Sequence, residues 1–68
     1  MDALQKTSQS GIITDKLQRL ATAIAGQENE VAAARRNGDN GRLATAQRLL
    51  QDMYADQTKL RADLAALN

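Results

Sequence analysis

Any chemistry in this chain has to come from carboxylates, amines, guanidinium groups, hydroxyls and one phenol. The sequence holds no Cys and no His. That removes thiol nucleophiles, imidazole bases and the usual transition-metal ligand sets. Asp52 and Asp56 stand one helical turn apart, and Glu28 and Glu30 are close in sequence. Paired carboxylates do acid–base work only where a pocket shifts their pKa values. Lys59 lies at helix-pair spacing from both Asp56 and Asp63, which is the pattern of a solvated helix face. Gly38 and Gly41 are followed by Asp39 and Arg42, not by the Lys-Ser/Thr of a phosphate-binding loop. Arg35, Arg36 and Arg42 cluster around these glycines. The cluster can meet a phosphate or an acidic partner, and the first two residues also complement the carbonyl end of a helix. No catalytic, cofactor-binding or metal-binding residue is expected, and the chain is not read as an enzyme.

Nor does the charge pattern suit a polyanion. Nine Lys and Arg stand against eight Asp and Glu, leaving +1, so no field of one sign exists to steer nucleic acid or an anionic membrane. Arg48, Lys59 and Arg61 are interspersed with Asp52, Asp56 and Asp63. Tyr54 is the single aromatic residue, whereas base stacking needs several. No nucleic-acid partner is expected. The apolar runs are too short to span a bilayer, and the N-terminus shows no signal-peptide core.

The elements that would carry these groups are helices. The 68 residues can form one small domain. They contain no Pro, and the strongest punctuation is Asn37-Gly38-Asp39-Asn40-Gly41, a turn signal. Before it, Ile13, Leu17, Leu20, Ile24, Gln27, Val31 and Ala34 recur at steps of 4 and 3. After it, Leu43, Ala46, Leu50, Met53, Gln57, Leu60, Leu64 and Leu67 do the same. This spacing predicts two amphipathic helices with an a/d seam, over about residues 11–36 and 42–67. Residues 1–10, polar and rich in Ser, Thr and Gln, are expected to form a flexible arm or a frayed first turn. Ser10 can cap the first helix, Gly38 can take its C′ position, and Asp39 or Asn40 can cap the second. Asp15 and Arg19 form a favourable i,i+4 pair. Gly26 is a local conflict, marking a bend or a close backbone approach.

A short turn between long helices predicts an all-α fold, an antiparallel two-helix hairpin. Folding about residues 37–41 sets Ala34 near Leu43 and Ala46, Ile24 near Met53, and Ile13 near Leu64. Gln27 falls beside Leu50 and Gln57 beside Leu20, both expected to reach water at the seam edge. Ile12, Leu49 and Tyr54 fall off the seam. Arg19-Leu20-Ala21-Thr22-Ala23 recurs as Arg42-Leu43-Ala44-Thr45-Ala46, which shared helix composition accounts for. Domains this small without disulfides or metals barely break even in stability, so association with other helices is expected.

Residues Asn40 to Tyr54, with their Ala44-Thr45-Ala46-Gln47 and Leu50-Gln51 segments and following Tyr, resemble the region after the turn in type III secretion needle subunits. The small size, the helix–turn–helix layout and the Ser/Thr/Gln-rich N-terminus are similar as well. The scarcity of Cys, Trp, Phe and His is similar to the Hrp pilus subunits of plant-associated bacteria. The resemblance implies a subunit exported without a cleaved signal, which polymerises into a hollow extracellular filament that conducts exported proteins. The layout also resembles the small helical-hairpin co-chaperones that hold needle subunits, which have a turn similar to Arg36-Asn37-Gly38-Asp39. That alternative implies a cytoplasmic adaptor binding a partner helix. Its own copies, and a secretion chaperone, are the partners expected.

For the filament, the apolar seam supplies the expected assembly interface: Ile13, Leu17, Leu20, Ile24, Leu50, Met53, Leu60, Leu64 and Leu67. A conduit for unfolded chains should be polar, so Gln47, Arg48, Gln51, Asp52 and Lys59 are the expected lumen-facing residues.

Overall fold

The computed structural model describes residues 3–67 of the chain. Two helices account for nearly all of them, α1 over Ala3–Asn37 and α2 over Asn40–Ala66. They pack against each other along their lengths as an antiparallel hairpin, the all-α architecture that the 3–4 spacing predicts. No strand occurs among the described residues.

The seam forms where the spacing places it. Every position from Ile13 to Ala34 in the first series, and from Leu43 to Leu67 in the second, is buried or half-buried. Ile24, Val31, Ala34 and Ala46 are the fully buried apolar residues. All four lie in the half of the hairpin nearest the turn. In the other half Ile13, Leu17, Leu20, Leu60, Leu64 and Leu67 are only half-buried.

The turn is tighter than residues 37–41. Asn37 still belongs to α1, and Asn40 and Gly41 already belong to α2. Gly38 alone reverses the chain, with φ +66°, a conformation that costs a residue with a Cβ about 1–2 kcal/mol. Its N–H donates to the Arg35 carbonyl at 3.1 Å, and the Asp39 N–H donates to the Ala34 carbonyl at 3.0 Å. These two bonds form a Schellman closure of α1. Asp39 then caps α2, its Oδ1 accepting from the Arg42 N–H at 3.0 Å. The short segment from Asn37 to Arg42 thus stops one helix and starts the next.

The N-terminal end differs from the expected arm. Helix α1 runs back to Ala3, so Ser10 is an interior helical residue and not a cap. Ser10 sits half-buried at the next step of the seam, before Ile13. Ser, Thr and Gln are adequate helix formers, and no Pro or strong cap intervenes to stop the helix earlier. Residues 1 and 2, also assigned to the arm, lie outside the described residues. Gly26 marks no close approach, because an added Cβ would meet nothing within 4 Å.

The hairpin is long and thin, 54 × 15 × 11 Å with a radius of gyration of 15.8 Å. A compact 68-residue domain would have a radius of about 11 Å. The accessible surface is 4995 Å² for 7.4 kDa, against about 4,200 Å² for a compact monomer of that mass.

Candidate functional site

The side chains beside the seam define two long faces. Residues one before a seam position, on either helix, make the first face. Residues one after make the second. Glu30 and Arg42 flank Val31 and Leu43 on the first face. Arg42 embraces the Glu30 carboxylate with Nε on Oε1 and Nη2 on Oε2, the latter at 2.9 Å. The hydrogen bond from Arg42 holds the Glu30 carboxyl below its usual range, and the Glu30 carboxylate raises the guanidinium in turn. Glu28 and Tyr54 flank Gln27 and Met53 on the second face. The Tyr54 hydroxyl donates to Glu28 Oε1, and that bond to a carboxylate pushes the phenol above its ordinary pKa. Both pairs are exposed.

Between these pairs, Gln27 Nε2 donates to the Ala46 carbonyl at 3.2 Å. The seam register alone puts Gln27 at the edge, reaching water. It spans the helix–helix gap to a backbone acceptor instead. Gln57 occupies the other polar seam position, half-buried. The residues of the two flanking pairs were visible in the sequence, but their pairing was not. Gly38 and Asp39 fix the centre of the turn, yet Glu30 and Arg42, like Glu28 and Tyr54, lie at different levels about it and meet diagonally. Reading Glu28 and Glu30 only against each other missed this. Arg42, a candidate for a phosphate or acidic partner, is engaged within the hairpin.

Three open grooves run along the first face. One, of about 540 Å³, is lined by Lys16, Arg19, Leu20, Asp56, Lys59, Leu60 and Asp63. The next, toward the open end, includes Ile12, Ile13, Asp63 and Leu67. The third, toward the turn, includes Glu30, Arg42 and Leu49. Ile12 and Leu49 are exposed large aliphatic residues, so both fall on this face. The two ion pairs found within 4 Å among the described residues are Glu30–Arg42 and Asp15–Arg19, the latter at 3.1 Å. Lys16 therefore forms no such pair with Asp56 or Asp63, although they line one groove.

No family model, curated protein or solved structure matches this chain.

The nine residues expected at an assembly interface are Ile13, Leu17, Leu20, Ile24, Leu50, Met53, Leu60, Leu64 and Leu67. All of them line the seam between α1 and α2. Ile24 is buried there and the other eight keep partial exposure. The five expected lumen residues are all exposed. They do not share one face: Gln47, Arg48 and Gln51 line a groove with Tyr54, whereas Lys59 lines the first-face groove. No helix of the described residues is long and apolar enough to cross a membrane. No cluster of three or more potential metal-ligating side chains occurs among them. The hydroxyls of Thr22, Thr45 and Thr58 donate back to carbonyls of their own helices, so they are partnered locally.

Proposed function

We propose that this chain is a self-associating helical subunit, the repeating unit of an extracellular filament of the type III needle or pilus kind. One observation supports the reading most directly. The hairpin leaves about 800 Å² more surface in water than a compact monomer of its mass, with eight of the nine expected interface residues still partly exposed. Packing further helices along the half-open seam is the available route to a sealed core, since disulfides are absent. A repeated heterologous contact whose rotation does not close yields a helical fibre. In such a fibre Gln47, Arg48 and Gln51, which line one groove, would line a passage to which apolar cargo does not adhere. A chaperone would hold the subunit before export.

A second reading is an adaptor hairpin that binds one partner helix and stays discrete. The closed turn half favours it, because Ile24, Val31, Ala34 and Ala46 are already sealed within one chain.

Sedimentation velocity with negative-stain microscopy of the purified chain separates the readings. Long fibres that grow with concentration support the filament. A species that remains monomeric at high concentration defeats self-association and leaves the adaptor. Leu64→Asp, which places a charge in the half-buried seam, should abolish fibres, and normal fibres from that variant would sink the packing model.

A further inference from the structure

The grooved face carries unlike charges in two parallel columns. On α1 the column is Lys16 and Arg19; on α2 it is Asp56 and Asp63, with Lys59 between them. The columns border Leu20 and Leu60 at the groove floor, and the exposed aliphatics Ile12 and Leu49 extend the face at either end. The second face lacks this arrangement. Its grooves are lined by Gln47, Arg48 and Tyr54 toward the turn and by Thr14, Asp15 and Gln18 toward the open end, and neither sets basic residues of one helix beside acidic residues of the other.

The geometry points to a second copy of this chain as the occupant of the grooved face, stacked on it with parallel long axes about a twofold along the hairpin. This rests on the self-association proposed above, but not on the filament. A twofold along the long axis exchanges left and right while keeping each residue at its own level. It therefore lays α1 of one copy over α2 of the other, so that Lys16 and Arg19 meet a partner column in which Asp56 and Asp63 flank Lys59. The same operation repeats the contact in reverse, so each pair gains it twice. A twofold across the long axis would lay α1 on α1 and α2 on α2, which sets like columns together. The columns thus select one stacking among the symmetric ones. Size agrees: a face 54 × 15 Å is of the order of the ~800 Å² per partner found in stable complexes.

Mixing charge-reversed chains tests this in a way that intramolecular effects cannot imitate. Lys16→Glu alone sets its new carboxylate against Asp63 in both contacts of the pair. Asp63→Lys alone sets its new ammonium against Lys16 in both. Each variant by itself should associate about ten-fold more weakly than the unaltered chain. A mixed pair of the two variants holds one contact between the introduced carboxylate and the introduced ammonium. Its other contact is the unaltered one between Lys16 and Asp63. Mixing should therefore restore association, with mixed pairs exceeding the statistical half in native mass spectrometry. Within a single hairpin mixing changes nothing, so rescue assigns the contact to two copies. If the unaltered chain associates but mixed pairs form only statistically, the assigned face is wrong while self-association stands. If the unaltered chain stays monomeric at every concentration, both the face and self-association fail. Helicity of each variant by circular dichroism confirms that the mixed components are folded.

Discussion

Gln27 reaches across the seam of the hairpin and donates its amide to the Ala46 carbonyl, 3.2 Å away. The Ala46 carbonyl belongs to a continuous helix, so Gln27 adds a bond to an acceptor that does not depend on it. Removing the amide leaves no orphaned group. Gln27→Ala should therefore cost only about 1 kcal/mol in urea unfolding. A loss several times larger would mean that Gln27 organises more of the seam than this one bond.

The glycines at positions 26 and 38 should respond in opposite directions. Gly26 lies inside α1 with nothing within 4 Å of an added Cβ. Gly26→Ala should raise stability by about 0.5–1 kcal/mol in dilute protein. Gly38 holds φ +66°, and Gly38→Ala should lower stability by about 1–2 kcal/mol. Equal effects of the same sign in thermal melts would refute the placement of the turn.

Asp39 accepts the Arg42 N–H as the cap of α2. Asp39→Ala should cost about 1 kcal/mol, while Asp39→Ser or Asp39→Asn should retain most of the stability. Denaturant midpoints of the three variants give the comparison directly.

Tyr54 is the single tyrosine and the single aromatic residue of the chain, so tyrosinate absorbance reports it alone. Its hydroxyl donates to Glu28, which raises its pKa above the ordinary 10.0. The neutral phenol is the bonded form. Its contribution to stability is present throughout below pH 10.0 and is lost as pH rises through the folded value. Glu28→Gln should move the titration back toward the ordinary value. An unchanged titration in that variant would show that the bond is not made in solution.

Glu30 shows the converse sign. The hydrogen bond from Arg42 lowers its pKa from 4.5, so its contribution is present above that value. It is lost as pH falls through the lower, folded one. Acid unfolding of Arg42→Ala should lack this component. Identical pH profiles of the variant and the unaltered chain, measured below pH 4.5, would count against the pair.

The seam residues were legible one by one because their spacing depends only on helix geometry, from Ile13 through Leu67. The stop at Gly38 and the Asp39 cap were legible for a similar reason: each is a local event of a few residues. The start of α1 was not. A polar Ser/Thr/Gln segment carries the same composition whether it is an arm or a helix continuing from Gly11, and nothing local stops α1 short of Ala3. The bonds Gln27–Ala46, Glu28–Tyr54 and Glu30–Arg42 were also missed. Each joins groups at different levels of the two helices, and such diagonal contacts depend on the axial offset and side-chain reach. The seam series alone does not set either quantity. The alignment of Lys16 and Arg19 against Asp56 and Asp63 emerges only when both helices are seen on one face.

Burial is unevenly distributed along the hairpin. Ile24, Val31, Ala34 and Ala46 are sealed near the turn, while the seam from Leu20 to Ile13 and from Leu60 to Leu67 stays half-open. Opening the far end exposes little that is not already wet, whereas opening the turn end breaks the sealed layer and the Asp39 and Gly38 closures. The molecule should behave as a pair of tongs whose tips part readily and whose pivot holds. Amide protons would then exchange on a gradient, fastest near Thr7 and Asp63 and slowest near Val31 and Ala46. A helix arriving from another molecule would find the tips already parting and would complete a zipper that the single chain leaves undone.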